Sequence, residues 1–277
     1  MKGVIDAGGG MRAIYGAGVF DRFLDEGIGF GYCIGVSAGS ANIASFLAGQ
    51  RGRNYRFFME YSGRKQYMGL SNFVRTGSYI DLDYIYATLT NTGGEDPIDF
   101  EAFRRSASVF VAVATDAATG RARYFTNGDM VSNDCGVLKT SCAIPFVCRP
   151  VERGERRYFD GGVADPVPVG KALADGCGSV VAILSRPAGE EKQAERGAAF
   201  YRLLLKKYPA VAGALRERHL KYNESVRQLK ALEKQGKAHI LSPDDCCGVG
   251  TLTRDRQALG RLYEKGYADA GRLIPLI

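Results

Sequence analysis

Twice within its first fifty residues the chain runs a short apolar stretch into a glycine turn and then into a segment of helical spacing. Residues 2–7 lead through Gly8-Gly9-Gly10 into 14–26, and residues 32–35 lead through Val36-Ser37 into 38–48. Apolar runs of this length without polar alternation are strands buried on both faces. A strand that passes at once into a helix is the first half of a parallel crossover, so the chain is committed to a layered α/β arrangement. Gly27 and Gly49 stand where the two helices must stop.

The same grammar continues. Residues 108–115 (S-V-F-V-A-V-A-T) form the strongest strand, paired as a hairpin with 123–126 across the turn 116–120. Helices are expected around 54–62, 81–90, 131–142 and 169–175. A second hairpin is expected from 147–152 and 156–159, and a buried strand at 179–184 (S-V-V-A-I-L). The predicted fold is therefore α/β, a mainly parallel central sheet with helices on both faces. With 277 residues, 45% of them hydrophobic, the chain can bury such a core as one domain spanning 1–277.

The net charge of +7 is unevenly placed. Residues 195–237 hold eleven Lys/Arg against four Glu, and the remainder balances at 26 of each sign. This stretch reads as a basic helical insertion near the C-terminus, split by Pro209 into helices at 196–207 and 210–235. In the longer one Leu215, His219, Tyr222, Val226 and Leu229 recur at helical spacing. A strand at 238–241 and a helix at 254–273 follow. The basic segment can face water, its apolar stripe packed on the domain, or it can meet an anionic membrane surface, with Phe200, Leu203 and Leu204 beside Lys206 and Lys207.

No apolar run approaches the roughly 18 residues of a membrane span, and a glycine loop as early as Gly8 leaves no room for a leader peptide. The seven cysteines are odd in number, lack a C-x-x-C pair and include the adjacent Cys246-Cys247. Reduced thiols in a cytoplasmic protein, peripheral to the membrane if anything, fit that pattern. Two distant histidines, His219 and His239, offer no zinc site, and neither metal nor organic cofactor is expected. No nucleic-acid partner is expected.

Three short motifs carry chemistry. Gly35-Val36-Ser37-Ala38-Gly39 is G-x-S-x-G between a strand and a helix, where flanking glycines allow a sharp turn that projects a serine hydroxyl. The following helix directs its positive end at the site. Gly8-Gly9-Gly10-Met11-Arg12 can gather backbone N–H groups around a phosphate or a tetrahedral oxyanion. A phosphate loop fails for want of Gly-Lys-Ser/Thr. A dinucleotide loop fits Gly8, Gly10 and Ala13 loosely but lacks an acidic second-strand end. Asp160-Gly161-Gly162 is by itself a turn, although a carboxylate beside a serine can take and return its proton.

Taken together, the glycine loop after the first strand, the serine elbow and the later D-G-G resemble the patatin-like phospholipases. Ala114-Thr115-Asp116, Ser141-Cys142-Ala143-Ile144-Pro145-Phe146 and Asp165-Pro166-Val167-Pro168 agree with that family's style, and the resemblance covers roughly residues 1–185. It implies Ser37 as nucleophile and Asp160 as general base, a dyad without histidine. It also implies an oxyanion hole from the amides around Gly8, Gly9, Gly10 and Met11, and a phospholipid or other acyl ester as substrate. Arg12 could contact a lipid phosphate or simply lie on a helix surface. The chain departs from the family pattern at Ala13, where many members carry glycine. Two other readings stay open: a Ser-His-Asp esterase using His219 or His239, and a lipid-binding or membrane-regulatory protein with an idle site. Both histidines are expected to be structural. Asp116 and Asp165 are expected to be turn and cap residues.

Overall fold

The computed structural model of the protein describes residues 1–194 and 206–277. In chain order the strands are β1 (Lys2–Asp6), β2 (Tyr32–Val36), β3 (Val109–Asp116), β4 (Ala122–Thr126), β5 (Val151–Arg153), β6 (Arg156–Asp160), β7 (Ser179–Ile183) and β8 (Ala238–Leu241). All belong to one mixed sheet. Its parallel part runs β3-β2-β1-β7-β8, and β4, β5 and β6 add antiparallel pairings around β3. The helices are α1 (Ile14–Asp25), α2 (Ala38–Leu47), α3 (Arg53–Met59), α4 (Leu70–Thr76), α5 (Phe100–Arg105), α6 (Gly136–Cys142), α7 (Val169–Ala174), α8 (Pro209–Glu233) and α9 (Arg256–Leu273).

Successive side chains of the central strands enter different cores, as the period of two requires. Val4, Cys33, Ala112 and Val181 join α1, α2 and α9 on one face. Ile5, Ile34, Val113 and Val180 join Val169 and Ala172 of α7 and Tyr222, Val226 and Leu229 of α8 on the other. On the first face Phe20 and Phe46 pack with ring centroids 4.9 Å apart, each burying a side chain that contributes about 2–3 kcal/mol. The expected two-faced sheet is the one found. The apolar stripe of α8 covers that sheet rather than standing clear of it.

Several local expectations change. The helix expected at 131–142 shortens to α6, because Asn133 takes a left-handed φ of 58° and Val131 bridges Asp134. The stretch 81–90 widens into a single π-helical turn at Tyr84–Thr88. The second hairpin starts at Val151, after Phe146 turns at φ 70°. Helices α4 and α5 were not anticipated. The expected short helix at 196–207 lies outside the described residues except for a turn at its end.

The feature that places the site is the crowding along β3. Residues 111–113 pair with both β2 and β4, and residues 114–115 pair with both β4 and β6. A strand has two edges, so β2 and β6 must share one. Strand β2 ends with Val36 opposite Val113, and β6 ends with Asp160 opposite the next residue, Ala114. The two strands thus meet end to end. The residue after Val36 is Ser37.

Candidate active site

Ser37 is buried at the β2–α2 turn with φ 57° and ψ −133°, a conformation that a non-glycine residue holds only under constraint from its surroundings. The constraint is visible. Its N–H donates to Ser141 Oγ at 2.9 Å, while the Ser141 hydroxyl donates to Val113 O at 2.6 Å. Its carbonyl accepts from Ser40 N at 2.9 Å and Ser40 Oγ at 2.6 Å. The flanking glycines are needed for space: a Cβ on Gly35 would lie 2.5 Å from Ser40 N, and one on Gly39 would lie 2.4 Å from Asp6 O. Ser141 braces the turn. The sequence singled out its stretch but not its role, because a serine hydroxyl that crosses from α6 to a strand has no local signature.

The glycine loop closes one side. Gly8, Gly9 and Gly10 have φ of 63°, 128° and 62°, and side chains there would meet Val36 O, Ser185 Oγ and Thr251 O at 2.0, 2.2 and 2.5 Å. Of the four amides expected to face an oxyanion, two are engaged inside the protein. Gly8 N–H donates to Asp6 Oδ1 at 2.9 Å, and Met11 N–H donates to Thr251 O at 3.0 Å. Gly9 and Gly10 line the cavity shared with Ser37, which leaves their amides as the candidates for such a hole. Asp6, unremarked in the sequence, is the loop's anchor. It also accepts from Asn42 Nδ2 at 2.9 Å, and burial pushes its carboxyl up to about 6 against the lowering effect of those hydrogen bonds.

Asp160 caps the turn of Gly161-Gly162, its Oδ1 accepting from Gly162 N at 2.8 Å. Its own N–H donates to Ala143 O, and its carbonyl accepts from Thr115 Oγ1 at 2.7 Å. Gly161 passes so close to β3 that a Cβ would lie 2.1 Å from Val113 O. The carboxyl is buried and its pKa is raised, chiefly by desolvation. The influence of the Ser37 hydroxyl and the charge of Arg218 pull the other way. Serine, carboxylate and the Gly9-Gly10 loop line one cavity of about 330 Å³.

Arg12 lines this cavity rather than an outer helix surface, and Arg186, Lys192, Arg218 and Tyr222 join it. The last four had not been singled out as site residues; a charge on a helix or loop does not announce where tertiary packing aims it. On the other side of Ser37 and Gly10 a narrow apolar cleft of about 50 Å³ runs between Phe58, Tyr67, Met68, Ile80, Leu82 and Ile85. Neither His219 nor His239 lines either space; both are half-buried, on α8 and β8. Asp116 is the expected turn residue, accepting from Ala118 N and Thr119 N. Asp165 departs from its expected cap role by accepting from Tyr124 OH at 2.8 Å. All seven cysteines are free thiols.

Comparison with known proteins follows this division of the chain. Residues 208–277, which carry α8, β8 and α9, match a domain of unknown function (DUF6363). The uncharacterized protein YjjU of Escherichia coli is 31% identical over 186 residues, covering 65% of this chain and 51% of its own length. The uncharacterized NTE family protein Rv2565 of Mycobacterium tuberculosis is 24% identical over 188 residues, 65% of this chain and 30% of its own. The chain thus spans about half or less of the length of these relatives. VipD from Legionella pneumophila shares the fold with a TM-score of 0.51 at 15% identity, over 99% of this chain and 66% of its own. Residues 7–173, well over half of the chain and the part that holds Ser37, Asp160 and the glycine loop, match the model of the patatin-like phospholipases, the family to which this chain belongs.

Proposed function

We propose that the protein is a serine acyl hydrolase that releases fatty acid from a lipid ester through a Ser37–Asp160 dyad. Ser37 Oγ attacks the acyl carbonyl while the Asp160 carboxylate takes the hydroxyl proton. The oxyanion that forms is held by the Gly9 and Gly10 amides and by the positive end of α2. Collapse breaks the ester bond, and Asp160 returns the proton to the leaving alcohol oxygen. Water then attacks the acyl-enzyme, gives its proton to Asp160, and releases the fatty acid as the proton returns to Ser37. The apolar cleft receives the acyl chain and the larger cavity receives the alcohol part.

The observation that carries this reading is the end-to-end meeting of β2 and β6 on β3, which brings a constrained serine to a buried carboxylate of raised basicity. A histidine triad finds no support, since neither histidine lines the cavity. A fluorophosphonate probe tests the proposal. Wild type should be labelled at Ser37, Ser37→Ala should not be, and folded Asp160→Asn should react at least about 100-fold more slowly, the usual contribution of a general base. Absence of labelling in the folded wild type would leave an idle site. A loss of labelling in the His219→Ala, His239→Ala double variant, if folded, would restore the triad.

A further inference from the structure

The cavity beside Ser37 carries an excess of positive charge that the hydrolytic step does not use. Among the described residues Arg12, Arg186, Lys192 and Arg218 line it together with the carboxylate of Asp160. They arrive from four places: the turn after the glycine loop, the end of β7, the loop beyond it, and α8. Arg12 donates from Nη1 to Thr251 Oγ1 at 3.2 Å, but its buried Nε has no hydrogen-bond partner among the described residues. Burial lowers its pKa, and the charges of Arg186 and Arg218 lower it further, so the guanidinium groups repel one another across the space. Tyr222 adds a buried hydroxyl, also without a hydrogen-bond partner among the described residues. The ammonium of Lys192 lies 5.8 Å from the centre of its ring.

The like charges of Arg12 and Arg186 are unfavourable neighbours in a partly buried space, and an anion between them relieves the repulsion while giving Arg12 Nε and the Tyr222 hydroxyl a partner. A phosphate suits this set, because guanidinium forks and a phenolic O–H donate to several oxygens at once. A head group that brings its own cation does not suit it. Among the described residues, the one carboxylate lining the space is the one the proposed hydrolysis needs, and Glu190, felt electrostatically at Tyr222, is not among the lining residues. The position is also specific. An ester whose acyl chain enters the apolar cleft and whose carbonyl reaches Ser37 extends its alcohol part into the cationic cavity.

We propose that Arg12, Arg186, Arg218 and Tyr222 form a phosphate subsite that selects acyl esters bearing a phosphomonoester on the alcohol part over zwitterionic or uncharged ones. Two of the four groups come from residues 208–277, so this region of unknown function is a wall of the site and a determinant of its specificity. The word substrate rests on the hydrolase reading; the binding preference does not.

The test therefore reads binding and turnover separately. Binding of short-chain dihexanoyl phosphatidic acid, dihexanoyl phosphatidylcholine and inorganic phosphate to Ser37→Ala protein is measured by calorimetry. Phosphatidic acid should bind at least tenfold more tightly than phosphatidylcholine. In the same background Arg186→Gln should weaken phosphatidic acid about tenfold, with Arg186→Lys intermediate. Tyr222→Phe, which removes one oxygen and leaves the packing, should weaken it severalfold, and it decides the matter if an arginine variant does not fold. In the active protein, the kcat/KM ratio for phosphatidic acid over dihexanoylglycerol should fall by similar factors. Equal affinity for the two phospholipids, or Arg186→Gln and Tyr222→Phe without effect, would overturn the subsite even if hydrolysis is found. Tight inorganic phosphate with no preference between the lipids would mean a site for the free anion and would equally overturn head-group selection. Selective binding without any turnover would sustain the subsite and sink the hydrolase.

Discussion

In the proposed dyad Asp160 has to be ionised to accept a proton from Ser37, and its surroundings work against ionisation. Burial is the largest influence and raises the pKa. The Ser37 hydroxyl, Arg218 on α8, the Gly162 N–H and Lys192 each lower it. Because the net shift is upward, the carboxylate form is lost as pH falls through a value above 3.8, and activity should fall with it. Removing the positive charge of Arg218 withdraws one of the lowering influences, so Arg218→Gln should move the acid limb of the kcat/KM profile to higher pH on an uncharged ester. A purely structural role for Arg218 would lower the plateau and leave the limb where it was. Much at this scale was legible beforehand. Gly8, Gly9 and Gly10 are demanded by their positive φ and Gly35 by the approach of Ser40 five residues on, and local demands are written in neighbouring residues. Ser141, Asp6 and Arg218 were not legible in the same way. Their roles depend on partners 28 to 104 residues away or on which face of a helix packs inward.

The elements repeat that distinction. Strand β8 was bounded correctly, and α1, α2 and α8 nearly so: Gly27 and Gly49 follow the first two helices, Pro209 opens the third, and its buried Leu215, Tyr222, Val226 and Leu229 recur at helical spacing. Helix α4 carries Leu70, Phe73 and Val74 at helical spacing, but it spans only seven residues and that apolar face is exposed, with only Asn72 buried, so the pattern is too short to mark a helix. Helix α5 has six residues, and its one clear signal was an N-cap, Asp99 accepting from Ala102 N at 2.8 Å. The meeting of β2 and β6 on one edge of β3 joins residues more than a hundred apart, and neither hairpin predicts it. The same holds for α9 on α1. There Tyr15 donates to Asp269 at 2.7 Å and Tyr263 to Asp21 at 2.8 Å. Gly18 and Gly266 let the backbones approach, and a Cβ on Gly266 would lie 2.0 Å from Tyr15 O. Gly266→Val should accordingly force α9 off α1 and destabilise the protein by about 2–3 kcal/mol, the usual range for overpacking a filled contact. Urea midpoints measure this. A loss below about 0.5 kcal/mol would mean that the two helices separate freely.

At the scale of the whole molecule the question is where its net charge of +7 acts. The basic segment 195–237 does not present one uniform face. Within its described part Val211, Leu215, Tyr222, Val226 and Leu229 are buried, Arg218 lines the cavity, and Lys221 Nζ donates to Ala164 O at 3.2 Å. These residues belong to the domain and cannot also meet a membrane. Lys206, Lys207 and Arg216 are exposed. No helix among the described residues is long and apolar enough to cross a bilayer. Exposed α4 follows Met68, which lines the apolar cleft, and so places exposed apolar side chains close in sequence to that cleft. A basic residue near an anionic leaflet contributes about 1 kcal/mol, and the effect fades within a Debye length. Three residues together are then worth about 3 kcal/mol, or roughly a hundredfold in partitioning. The variant Lys206→Glu, Lys207→Glu, Arg216→Glu should therefore bind anionic vesicles far more weakly than wild type in low salt, and the two should converge as salt is raised. Turnover of a soluble short-chain ester should stay near the wild-type rate, since none of the three lines the cavity or the cleft. Vesicle sedimentation across a series of anionic-lipid contents gives the comparison. If the two proteins bind alike at low and high salt, the exposed charges face water and recruit nothing.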